Sequence, residues 1–401
     1  MIPEGWKQEL ANDLCSQISV GIVVKPADYY VEQASGIRAF RSANVGEGFV
    51  KDRDWIYISE EGHRVNRKSV LRTNDVLIVR TGYPGTACLV PPEYEGSNCI
   101  DIIFARPKPD RIVPSYLCVF TNSEYGKKQV LDGQGGLAQQ HFNVGAFKQI
   151  RIPLPPLGEQ RRIAEILATW DRAIETVEAL IANARAQKKA LMQSLLTGKQ
   201  RLPGFWEKWA IKRLGDAFAE RSERGDDNLT LLSVTQSGGV IRQTEAGRKN
   251  ISSIDQSSYK TVRKGDIAYN TMRMWQGASA LSTLTGKVSP AYTIVTPRHG
   301  HDARFYAYLF KWPPMIHVFE RHSQGLVSDT WNLKYPHFSK IKVSVPPLDE
   351  QVAIRRVLEA GDEEEAALRG QLAALRQEKS ALMQQLLTGK RRVKITEKEA
   401  A

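Results

Sequence analysis

The clearest pattern along the chain is a stripe of seam positions stepping alternately by four and three: Ile163, Leu167, Trp170, Ile174, Val177, Ile181, Ala184, Lys188, Leu191 and Leu195. Sustained over this many turns, that spacing is the seam of a coiled coil. Pro155 and Pro156 cannot lie inside a helix and so mark its start. Gly198 is placed for a left-handed cap at its end, with Lys199 and Arg201 beside the negative pole of the helix dipole. Residues 159–196 predict a rod of about 57 Å at 1.5 Å per residue.

The same frame returns at an offset of 191 as Ile354, Leu358, Gly361, Glu365, Leu368, Leu372, Leu375, Lys379, Leu382 and Leu386. From Pro155 to Arg201, 21 of 47 ungapped positions are identical to their partners at that offset. The repeat extends more faintly upstream: Leu71 to Val76 matches Val262 to Ile267, and Phe147 and Ile150 match Phe338 and Ile341. The chain is therefore two copies of one plan, each a variable segment followed by a well-matched long helix. The two helices are expected to pair with each other, antiparallel. Gly361 and Glu365 break the second seam inside the acidic run Asp362 to Glu365, which predicts a helix that bends or frays there. Lys188 and Lys379 share one seam position and read either as snorkelling side chains or as polar residues that set register.

The variable segments carry short β-branched runs that predict strands at 76–79, 100–104, 150–152, 266–269, 292–295 and 341–345, with helices at 114–122 and 303–312. The fold class expected is α+β: two α/β variable domains separated by two long antiparallel coiled-coil helices. Its boundaries are 1–154 and 202–345 for the variable domains, 155–201 and 346–392 for the helical segments, and 393–401 for a tail.

Composition narrows the class further. At 42% hydrophobic and 25% charged, the chain reads as globular, and no apolar run approaches the roughly 20 residues of a membrane span. Four scattered cysteines and the lack of a secretory leader pattern at the N-terminus predict a cytoplasmic location. The net charge of +12 permits a nucleic-acid partner without establishing one. The surplus is uneven. Residues 1–158 hold 18 basic and 17 acidic side chains, whereas residues 202–349 hold 20 and 13. A nucleic-acid-binding role would then require the first variable domain to gather its cations on one face.

Catalytic motifs do not emerge. Glycines preceding lysine at Gly198, Gly286 and Gly389 lack the rest of a phosphate loop, and none of the Pro-Pro sites fits an amino-methyltransferase motif. His299-Gly300-His301 lacks the helical spacing and carboxylate of a zinc site and reads as a surface loop. No catalytic residue and no metal ligand is assigned. The loops suggest recognition instead. Asn270, Arg273, Trp275 and Gln276 follow a strand and combine base-pairing amide and guanidinium groups with a stacking ring. Arg80 and Tyr83 follow the matching strand, and Gln134 and Gln324 lie in matched glycine-containing loops. Arg242, Arg248 and Lys249 are candidates for phosphate contact. Each residue alone could serve a turn or a core edge; the loops as a group read as DNA contacts.

The paired motifs Pro155-Pro156-Leu157-Gly158-Glu159-Gln160 and Pro346-Pro347-Leu348-Asp349-Glu350-Gln351, the long helices, and the Leu-Leu-Thr-Gly-Lys segments ending at Lys199 and Lys390 together resemble the specificity subunit of type I restriction-modification systems. The resemblance covers essentially the whole chain. It implies a non-catalytic subunit whose two target-recognition domains each read half of a split, asymmetric site on double-stranded DNA. It also implies that the helices act as a spacer that docks two methyltransferase (modification) subunits, with restriction (translocase/endonuclease) subunits joining the larger complex. Adenine methylation, S-adenosylmethionine, ATP and Mg would belong to those partners. The alternative from another class is a coiled-coil interaction scaffold without DNA specificity.

Overall fold

The computed structural model describes residues 3–132, 142–224, 228–235, 239–245, 258–327 and 330–395. The chain divides into two compact units, one of Met1–Glu178 with Gly370–Ala401, the other of Ala179–Arg369. Among the described residues no helix is long and apolar enough to cross a membrane.

Each unit is built around a four-stranded antiparallel sheet with the same strand order. In the first unit the order is Cys15–Val20, Ile103–Pro107, Val76–Ile78, Ala87–Leu89; in the second it is Phe218–Glu220, Tyr292–Pro297, Ile267–Asn270, Ser279–Leu281. The central strands correspond at the offset of the sequence repeat, and their pairing partners to within one residue of it. Leu77 lies between Phe104 and Cys88, and Ala268 between Ile294 and Ala280. A two-stranded ribbon repeats as well, Lys7–Leu10 on Arg151–Leu154 and Ala210–Arg213 on Lys342–Val345. One face of each sheet is covered by a helix predicted from the sequence, Pro114–Asn122 or Ala303–Lys311, followed by Glu124–Asp132 or Pro313–His322. Three of these four begin after an extended N-cap, and two of those have proline in the first turn, where its missing N–H costs nothing.

The units differ outside this common frame. The first carries a second sheet of Tyr30–Val31, Ile56–Ile58, Ile37–Phe40 and Asn98–Cys99, the last pair parallel. The second carries instead a hairpin, Leu232–Thr235 with Gly239–Arg242, and the pair Lys260–Val262 with Gly286–Val288. The strand expected at 100–104 is displaced to Ile103–Pro107. Asp101 turns left-handed (φ 49°), and the chain there bonds to the crossing segment through Gly21 N–H to Ile102 O and Ile22 N–H to Cys99 O, at 3.0 and 2.8 Å.

The long helices run from Leu157 to Leu195 and from Leu348 to Leu387. All twenty seam positions named above are buried or half-buried. Within the first unit Asp171 pairs with Lys379, and Glu178 accepts from Arg376 at 2.5 Å. Within the second, Arg185 pairs with Glu365 at 2.6 Å, and Lys188 with Asp362. In both, position rises along one helix as it falls along the other, so the pairing is antiparallel. The bend expected at Gly361 and Glu365 does not occur; the helix is continuous. The polar interruption is matched rather than exposed: Glu365 and Asp362 face Arg185 and Lys188, and the Lys188 stem lies against Gly361, 3.5 Å from where a Cβ would sit. Lys188 and Lys379 are both ion-paired across the seam, which leaves neither of them snorkelling unpartnered.

The repeated motifs anchor the helices to the sheets. Glu350 is 1% exposed and takes a bidentate pair from Arg201, Nε–H at 2.6 Å and Nη2–H at 2.7 Å, plus Trp209 Nε1–H at 3.0 Å. Glu159 repeats this with Arg392 and Trp6. Arg201, expected at the dipole of its own helix, is thus committed to the start of the other long helix. The bonds to Glu350 outweigh desolvation and raise its already high pKa. Gln160 accepts from Val113 N–H (2.8 Å) and donates to Pro155 O (2.8 Å); Gln351 does the same with Asp302 N–H (3.0 Å) and Pro346 O (2.9 Å). Gly198 and Gly389 are both left-handed (φ 69° and 67°), as C′ glycines should be. Ile163, Leu167, Leu386 and Leu387 complete the core of the first unit, and Leu195, Leu196, Ile354 and Leu358 that of the second.

Candidate nucleic-acid interface

The loop after strand Ile267–Asn270 is held from beneath. Asn270 Oδ1 accepts from Met272 N–H at 3.0 Å, which turns the chain into a short helical turn, Met274–Gln276. Met274 is buried, and Gly277 closes the turn at φ 77°. That positive φ favours glycine, and a Cβ there would also force Ile316 Cδ1, 2.7 Å away, to shift. Lys311 Nζ donates to Gly277 O at 2.8 Å, and burial lowers the pKa of this amine.

A second loop packs beside the first. Gln324 and Asn332 exchange backbone hydrogen bonds at 2.8 Å, Leu333 N–H donates to Thr271 O at 2.8 Å, and the Trp275 ring meets Trp331 edge to face at 5.3 Å. Trp275 Nε1–H is spent on Met272 O (3.0 Å), so only the ring of Trp275 remains for contact. Arg273, Gln276 and Gln324 are exposed on the two loops, with Met272 and the fully exposed Leu326. Among the described residues the Arg273 side chain makes no hydrogen bond or ion pair. The fold thus brings Asn270, Arg273, Trp275, Gln276 and Gln324 onto one pair of adjoining loops.

The remaining sequence candidates lie elsewhere. Arg80 is structural in its contacts: it pairs with Asp101, and its Nε–H donates to Phe142 O at 3.0 Å. Tyr83 is 83% exposed at the tip of the same loop. Arg242, on the hairpin, pairs with Glu245 at 3.2 Å. Gln134, Arg248 and Lys249 lie outside the described residues. Trp331 and Lys311 were missed by sequence reasoning, because nothing local marks a tryptophan or lysine as the support of a loop more than thirty residues away. His301 points inward, with its Nδ1 2.9 Å from Tyr306 Oη, and burial lowers its pKa. Among the described residues no group of His, Cys, Asp and Glu is placed to hold a metal.

Known proteins give this geometry a class. Residues 47–184 match the family described as Type I restriction modification DNA specificity domain. The putative type I restriction enzyme MjaX specificity subunit of Methanocaldococcus jannaschii is 23% identical, with 98% of this chain and 95% of that protein covered. The type I restriction enzyme EcoBI specificity subunit of Escherichia coli is 25% identical over 49% of this chain and 41% of its own length. The solved HsdS subunit from Thermoanaerobacter tengcongensis shares the fold at a TM-score of 0.52, with 20% identity over 97% of this chain and 98% of that one. The S subunit from M. genitalium shares it at 0.57, with 13% identity over 98% and 97%. Over nearly its whole length the chain is thus similar to specificity subunits of type I restriction-modification systems.

Proposed function

We propose that this chain is the DNA-reading, non-catalytic subunit of a type I restriction-modification complex, with one target-recognition domain per unit, at 1–154 and 202–345. The observation that carries the reading is the recurrence of one sheet order and one helix-anchoring motif in two copies whose remaining strands differ. A constant frame with variable loops is what two readers of different sequences require. The long helices, repeating the same faces, are the docking sites for two modification subunits and act as the spacer between half-sites. Methyl transfer and cleavage, with S-adenosylmethionine, ATP and Mg, fall to the partners.

The test is a reconstituted complex in which residues 202–345 are exchanged for those of a relative with a different target. Methylation should move to a new half-site while the other half-site is kept. Unchanged methylation would refute the two-reader assignment. A purely protein-binding scaffold would show no counterion-release salt dependence with DNA.

A further inference from the structure

The first unit contains an arginine whose environment differs from that of the other half-buried arginines. Arg80, Arg106, Arg201, Arg221 and Arg355 each meet a carboxylate, and Arg41 donates to Asp54 O at 2.7 Å. Arg38, on strand Ile37–Phe40, meets neither: its Nε is buried without a hydrogen bond, as are those of Arg41 and Arg355, but among the described residues the rest of its side chain makes no hydrogen bond or ion pair either. A desolvated, unpaired guanidinium is unfavourable, and proteins satisfy such groups or use them.

Its surroundings hold it in place without neutralising it. The guanidinium carbon lies 4.9 Å from the centre of the Trp55 ring and 5.1 Å from that of Tyr94. The two rings are 5.3 Å apart, and both meet the fully buried Phe40 edge-on, at 4.8 and 5.4 Å. Asp52 is engaged by Trp55 Nε1–H at 2.6 Å, which fixes the ring. Cation–π attraction thus orients the arginine while leaving its terminal N–H groups uncommitted. The neighbouring loop adds Lys51 and the largely exposed Arg53, which pairs at 3.9 Å with the equally exposed Asp54. That loop is pinned by the buried Asn44, which receives Lys51 N–H on its carbonyl oxygen at 2.8 Å and donates from Nδ2 to Arg53 O at 2.7 Å.

We propose that Arg38 is a phosphate-binding residue of the first reader, its planar guanidinium preset by Trp55 and Tyr94 to clasp one DNA backbone phosphate, with Lys51 and Arg53 alongside. The proposal rests on the DNA-reading function above. In a domain whose charge is nearly balanced, and beside a loop in which Lys51 and Arg53 alternate with Asp52 and Asp54, it supplies one preset guanidinium rather than a cluster of cations. Bidentate geometry makes arginine the fitting residue for such a contact.

The test uses the complex of this chain with its modification subunits. Arg38→Met keeps the packing stem and removes the charge. It should weaken DNA binding about tenfold, whatever the bases of the first half-site, and reduce the slope of log affinity against log salt by about one phosphate's worth. Its thermal midpoint without DNA should fall only slightly, because no hydrogen bond or ion pair is lost and only the cation–π contacts with Trp55 and Tyr94 go. R38K should restore the salt slope without the full affinity. Affinity and slope equal to wild type would overturn the proposal, as would a loss confined to one base pair, which would make Arg38 a base reader. If the wild-type complex binds no DNA specifically, it is the functional reading that fails, not this assignment alone.

Discussion

Glu350 and Glu159 occupy the same place in the two units, yet their arginines are unequally buried. The Arg201 side chain is 26% exposed and that of Arg392 43%. Removing Arg201 leaves a carboxylate buried and unpaired, a loss of about 3–5 kcal/mol. Arg201→Ala should therefore lower the thermal midpoint by several degrees and more than Arg392→Ala, as read by scanning calorimetry. A second residue sets a pH dependence. Arg185, and after it Arg369, hold the Glu365 carboxyl below its usual range despite some desolvation. A depressed folded pKa adds stability above the unfolded value of about 4.3 that is lost as pH falls through the folded one. The stability advantage of wild type over Glu365→Gln should shrink as pH drops below about 4, and an advantage that does not change with pH would deny the pairing. At this scale little was legible in the sequence. Glu159 and Arg392 are 233 positions apart, and the motifs in or beside which they lie mark helix ends without disclosing that the ends meet.

The long helices are the elements that the sequence announces best, because a heptad is a local periodicity and needs no knowledge of the partner. The expected bend failed for the converse reason. Gly361 and Glu365 look like defects until Lys188 and Arg185 are set opposite them, and only the pairing register reveals that. The seam charges alternate in sense, acidic on the first helix at Asp171 and Glu178, then basic at Arg185 and Lys188. Reversing Lys379 alone, by Lys379→Asp, should destabilise the first unit. Adding Asp171→Lys should recover about 0.5–1 kcal/mol, the coupling a double-mutant cycle would measure. The short strands were found approximately from β-branched runs, but the second sheet of the first unit was not. Its strands are two to four residues long, too short to show alternation.

For the molecule as a whole, the internal repeat was the most informative single feature, and the matching strand orders show that it reaches through the variable segments where identity has faded. Under the proposed function, removing seven residues from each long helix preserves the seam phase and shortens each by about 10 Å. The tolerated gap between DNA half-sites should contract by about three base pairs, scored by methylation of substrates with graded spacers. What the sequence withheld was which loops converge, since Trp275 and Trp331 meet only through the fold.

The two units also differ in how the chain supplies them. The second is contiguous, Ala179–Arg369, whereas the first joins Met1–Glu178 to Gly370–Ala401, and its core includes Leu386 and Leu387. On the ribosome, residues made first must wait for residues made last. At about 5–20 residues per second, synthesis of the intervening stretch takes roughly 10–40 s, during which the apolar faces of Ile163 and Leu167 lack their partners. The half of the protein that is translated first is thus the half that finishes folding last, and it is the one exposed to aggregation or chaperone capture during its own synthesis.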